Sequence, residues 1–153
     1  MTRILAAVLG TLAGATVLVG CSGHTGNPSA NVSVANAGPE VTVDGANVPG
    51  LDMKSVVCVK RAGNIDISSG AVNGQQGLAV LMTDEATPKV ESLSIVVDGN
   101  ALAVADHGGA KVGTADVAVD GKTYTISGQA VGADLRNPMA GQITKKFLIK
   151  VGC

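Results

Sequence analysis

Apolar and polar residues alternate one for one along much of this chain. A segment with that period can bury one set of side chains only as a strand with a core on one face. In 91–97, Leu93, Ile95 and Val97 fall on one face. In 123–131, Tyr124 and Ile126 face one way while Thr123, Thr125 and Ser127 face the other. In 145–151, Phe147, Ile149 and Val151 alternate with Lys146 and Lys150, and in 115–119 Val117 and Val119 lie opposite Asp116. Shorter runs at 41–43, 55–60, 64–68, 78–82 and 101–105 complete the set. Val-Asp-Gly recurs at 43–45, 97–99 and 119–121. Asp-Gly between alternating segments is a strong hairpin signal, because both residues accept the positive φ of a tight turn. No run of helical period exceeds about two turns. Residues 40–153 are therefore expected to form one all-β domain, a small antiparallel β-sandwich or partly closed barrel.

The N-terminal part follows other rules. Arg3 supplies a positive charge, and 4–19 is apolar or small throughout. A basic start and an apolar middle make a secretory signal; the run is at the short limit for spanning a bilayer and no basic stop follows it. Leu18-Val19-Gly20-Cys21 closes the run and resembles the lipobox of bacterial lipoproteins. The resemblance implies diacylglyceryl transfer to the Cys21 thiol, cleavage between Gly20 and Cys21, and acylation of the new amine. Each buried methylene contributes about 0.8 kcal/mol, so two or three chains on one residue make a lasting anchor where one is marginal. The expected location is the extracytoplasmic face of the cell membrane, with the covalent lipid as membrane partner. Residues 22–39 hold one histidine, no fixed charge and only two isolated valines, a composition unable to bury a core, and read as a disordered spacer.

Trp is absent, and Tyr124 and Phe147 are the only aromatic residues. A core of small aliphatic side chains buries little area per residue and calls for extra stabilisation. With Cys21 lipidated, Cys58 and Cys153 remain. Cys58 shares a face with Val56, and Cys153 continues the face of Phe147, Ile149 and Val151. In an oxidising compartment the two are expected to form a disulfide.

Chemistry-bearing patterns are sparse. The formal charge of −1 offers no electrostatic grip on nucleic acid. Lys60-Arg61 and Lys145-Lys146 read as solvated strand-edge cations. His107 follows Asp106, but neighbours in a strand point to opposite faces, which spoils a base-and-orienter pair. Gly-x-Ser-x-Gly, His-Glu-x-x-His and Cys-x-x-Cys are absent from the sequence. No catalytic site, metal site or cofactor is expected. Asp84-Glu85 reads as a solvated turn. A carrier that binds a lipid or other apolar small-molecule ligand between sheets of the β domain remains an alternative, with Leu78, Val80, Leu93, Ile95, Val117, Ile126 and Phe147 as its lining; it requires a connected apolar cavity of roughly 300 Å³ or more.

Ser-Val-Val-Cys at 55–58, Ala-Gly-Asn-Ile-Asp-Ile at 62–67, Thr-Tyr-Thr-Ile-Ser-Gly at 123–128 and Gly-Ala-Asp-Leu-Arg-Asn-Pro-Met at 132–139 together resemble the mycobacterial 19 kDa lipoprotein antigen family. The lipobox, polar spacer and terminal Cys153 agree. The resemblance implies a lipid-anchored, antigenic envelope protein whose acylated N-terminus at Cys21 is sensed by a host lipopeptide-sensing Toll-like receptor. It leaves the task of the β domain open between contact at the surface and ligand transport.

Overall fold

The computed structural model describes residues 31–34, 38–72 and 75–153. The expected cleavage site at Gly20 and Cys21 and most of the spacer lie outside the described residues. The strands are β1 (Asn31–Val34), β2 (Glu40–Val43), β3 (Ala46–Asn47), β4 (Val57–Arg61), β5 (Asn64–Ser68), β6 (Ala71–Val72), β7 (Gln75–Gln76), β8 (Leu78–Thr83), β9 (Val90–Val97), β10 (Asn100–His107), β11 (Ala110–Val112), β12 (Thr114–Asp120), β13 (Thr123–Asp134) and β14 (Ile143–Gly152). Short 3-10 turns occupy Met53–Ser55 and Pro138–Ala140.

Apart from the small β6–β7 hairpin, the strands form one antiparallel sheet in the order β1-β4-β5-β8-β9-β10-β13-β14-β2-β3, with β11 added to β10 and β12 to β13. The sheet curls on itself into a half-barrel. Of the two architectures expected, the partly closed barrel is the one formed. Its concave face holds the core of small aliphatic residues with Tyr124 and Phe147. The expected alternation holds in two of these strands: β8 reads buried, half-buried in turn from Leu78, and Leu93, Ile95 and Val97 of β9 are all buried. The first strand lies inside the stretch read as spacer and pairs with β4 from Asn31 opposite Lys60 to Val34 opposite Val57.

The turns follow from backbone chemistry. Asp44-Gly45 and Asp98-Gly99 both have positive φ at each residue, as a type I′ hairpin requires. Asp120-Gly121 differs from the expectation. Asp120 pairs with Thr123, so the loop is Gly121-Lys122, and positive φ falls on Gly121 alone, as in a type II′ turn. Ala62-Gly63 makes a further left-handed pair between β4 and β5, with Ala62 at φ 50°. Glu91 is an extra residue in β9: Leu81 faces Ser92 while Met82 faces Val90, a bulge that adds twist to the sheet.

β13 is where the sheet forks. Along one edge it pairs with β14 from Thr123 to Gly132. Its other edge is shared, with β12 opposite Thr123 to Gln129 and β10 opposite Val131 to Asp134. β10 and β13 thus diverge beyond Ala103, and β11, Gly113 and β12 fill the angle between them. Val119, expected on the core face with Val117, is 44% exposed although its partner Tyr124 on β13 is buried, because among the described residues β12 has no strand on its other edge; Ala115 and Val117 are half-buried.

Candidate functional site

Three arrangements bring reactive or charged side chains together. The first is covalent. Cys58 of β4 is fully buried on the same face as Val56, and Cys153 follows the inward row of β14. Their sulfurs are bonded, with Cα atoms 5.5 Å apart across a sequence separation of 95. The strand faces of the sequence place both cysteines toward the core, and the structure joins them there. β4 stands near one end of the strand order and β14 near the other, so the bond staples the two sides of the curled sheet. The Cys153 amide donates to the Lys122 carbonyl oxygen at 2.7 Å, which ties the chain end to the β12–β13 turn.

Close to this staple lies a polar contact that sequence reasoning missed. Lys60 has the inward parity of Val56 and Cys58 and is no strand-edge cation. Its Nζ donates to the Tyr124 hydroxyl at 2.7 Å and to Asp84 Oδ1 at 3.0 Å, and sits 5.1 Å from the Tyr124 ring centroid. The bond to Tyr124, and after it the one to Asp84, holds the ammonium above the ordinary lysine value against the opposing effect of desolvation. Only the parity of Lys60 with Cys58 could have signalled this; Tyr124 is 64 residues away. Lys145, also expected to be solvated, donates to Asp44 Oδ2 at 2.8 Å, and the Lys146 amide donates to Asp44 Oδ1 at 3.0 Å. Those two bonds hold the Asp44 carboxyl below the usual aspartate value. Lys146 itself is exposed.

The third arrangement is a cleft of about 390 Å³ at the fork, with Val90, Val104, Gly113 and Ala115 lining it alongside Asp106, Lys111, Thr114 and Asp116. Lys111 pairs with Asp106 across the β10–β11 ladder at 3.0 Å. The Asp106 carboxylate is therefore engaged by a lysine. His107 ends β10 opposite Ala110. A shallower groove of about 340 Å³ crosses β4, β5, β8 and β9, with Arg61 and Asp66 in its lining. Of the residues a carrier would need as lining, Leu78, Ile95, Ile126 and Phe147 are packed together in the core with Val117 against it, while Val80 and Leu93 are core residues that also border this groove. Among the described residues, no three His, Cys, Asp or Glu side chains gather as a metal site would require.

The structure defines a small all-β half-barrel domain of aromatic-poor composition, stapled by a disulfide across its open side. Residues 32–153 match the family model described as Mycobacterium 19 kDa lipoprotein antigen. The chain belongs to that family, a family of mycobacterial lipoprotein antigens of the cell envelope. It is 60% identical over 153 residues to a Mycobacteroides abscessus protein described as a candidate lipoprotein, covering 100% of this chain and 99% of that one. It is 37% identical over 121 residues to lipoprotein LpqH of Mycobacterium tuberculosis, covering 78% of this chain and 71% of the relative. Against lipoprotein LpqH of Mycobacterium avium the identity is 33% over 119 residues, covering 76% and 69%.

Proposed function

We propose that this lipoprotein is cut between Gly20 and Cys21, acylated on the Cys21 sulfur and on the new amine, and held on the extracytoplasmic face of the membrane. There it displays a non-catalytic β domain. The observation that carries the reading is Leu18-Val19-Gly20-Cys21 at the end of an apolar run, in a chain of a lipoprotein family. The thiol at that position is the nucleophile that lipid transfer needs, and Gly20 leaves room for a peptidase to approach the bond. Released molecules, free or in vesicles, present the acylated N-terminus to lipopeptide-sensing Toll-like receptors.

Cys21→Ala in the natural host tests this. The unaltered protein is expected in the detergent-rich phase of a Triton X-114 partition, with an intact mass that includes the acyl groups. The variant is expected in the aqueous phase, or retained as an uncleaved precursor, without receptor activation. A variant that keeps the acyl mass and the receptor response would overturn the reading.

A further inference from the structure

We propose that the free edge of β12, with the cleft at the fork, is a docking strand for an extended basic segment of a partner protein. This goes beyond display, because it states what the displayed domain touches. Among the described residues, β12 pairs on one side only, with β13. Its other edge leaves backbone N–H and C=O groups available for strand addition. The side chains along it are sorted by chemistry. Thr114, Asp116, Ala118 and Asp120 are exposed on the outer face, and Ala115 and Val117 are half-buried on the inner one. Asp116 and Asp120 have no ion-pair partner among the described residues, unlike Asp44, Asp66, Asp84, Asp106 and Asp134.

Apolar exposure coincides with this edge. Val112 and Val119, at 37% and 44%, are two of the few large apolar side chains left exposed. Val119 lies in β12 near its end, and Val112 closes β11 two residues before β12 begins. The fork cleft adjoins the first residues of β12 and carries two carboxylates, Asp106 and Asp116, against one ammonium, Lys111. A strand laid on this edge would meet negative charge on its outer face and aliphatic surface on its inner face. The segment that fits alternates Lys or Arg with Val, Ile or Leu. A second copy fits poorly, because its own β12 would set one acidic row beside another.

The test uses the protein isolated with its lipid in a non-ionic detergent, and a labelled nonapeptide alternating lysine and valine. A glutamate–valine peptide of the same length is the control. Fluorescence anisotropy should show binding of the lysine peptide that weakens with salt, and amide exchange should slow in 114–120. The double variant Asp116→Lys, Asp120→Lys should bind at least about tenfold more weakly, since the attraction becomes repulsion. Both sites are exposed, so its thermal melt should be unchanged. If the variant does not fold, the exchange footprint on the unaltered protein decides. Equal binding of the glutamate peptide, equal binding by a folded variant, or protection at β3 in place of β12 would each overturn the proposal.

Discussion

The glycines of β13 show how little room single residues have where the sheet forks. A Cβ built on Gly132 would run into the Ala101 carbonyl oxygen, and one on Gly128 into that of Thr114. The obstacle in each case is the backbone of a neighbouring strand, which cannot rotate aside as a flexible side chain can. Gly132→Ala is therefore expected to cost more than about 2 kcal/mol, in the range of strain at a tightly packed position. Gly45→Ala meets open space but retains φ +79°, and should cost about 1 kcal/mol from strain alone. Urea denaturation of both variants separates the effects, and equal losses would refute the steric account. Charge acts at the same scale. Asp44 has its pKa depressed below 3.8 by Lys145 and the Lys146 amide. Its contribution to stability is fully present above the unfolded pKa and is lost as pH falls through the lower folded value. Asn tolerates the left-handed φ of 51° and keeps an oxygen for the amide. Asp44→Asn should thus flatten the acid limb of stability against pH without disturbing the turn. An unchanged acid limb would show that the carboxylate contributes nothing there.

At the scale of elements, the turns are the part of the fold most open to improvement. Ala62 occupies a left-handed position at φ 50° in the β4–β5 turn, where its Cβ costs about 1–2 kcal/mol and where Asn is favoured. Ala62→Asn should raise stability by about 1 kcal/mol, measured as a higher midpoint in urea at unchanged slope. No gain would mean that the turn relaxes in solution. This turn was hidden in the sequence because it lacks the Asp-Gly signature that marks its counterparts. The long strands were legible for the opposite reason: Leu93, Ile95 and Val97, or Phe147, Ile149 and Val151, repeat their period often enough to fix a face. Period two says which way a residue points and says nothing about which strand lies beside it. Hence the Lys60–Tyr124 contact, the branching of β12 and β10 from β13, and the pairing of β2 with β14 were not readable. β11, β6 and β7 are two or three residues long and have too few alternations to register.

For the whole molecule the governing problem is an open side. A curled sheet that, among the described residues, does not close by hydrogen bonds depends on its core to hold β4 against β13 and β14, and this core is built from small aliphatic side chains. Two links supplement it: the Cys58–Cys153 bond and the Lys60–Tyr124 hydrogen bond. The hydrogen bond, made by a charged ammonium whose side chain is 33% exposed and so partly screened by solvent, is worth about 1 kcal/mol net. The disulfide closes a loop whose cysteines are 95 residues apart, for which chain entropy gives about 4–5 kcal/mol. If that stabilisation resides mainly in the unfolded chain, removing the bond must expand the unfolded ensemble as well as lower the midpoint. The double variant Cys58→Ala, Cys153→Ala is therefore expected to lose about 4 kcal/mol and to show a steeper dependence on urea, because its unfolded state exposes more surface. In hydrogen exchange, β4 and β5 should become the first strands to open, since the staple is their covalent tie to the other side of the half-barrel. An equal loss with an unchanged slope would place the stabilisation in native packing around the sulfur atoms. A loss under about 1 kcal/mol would mean that the core alone holds the open side together.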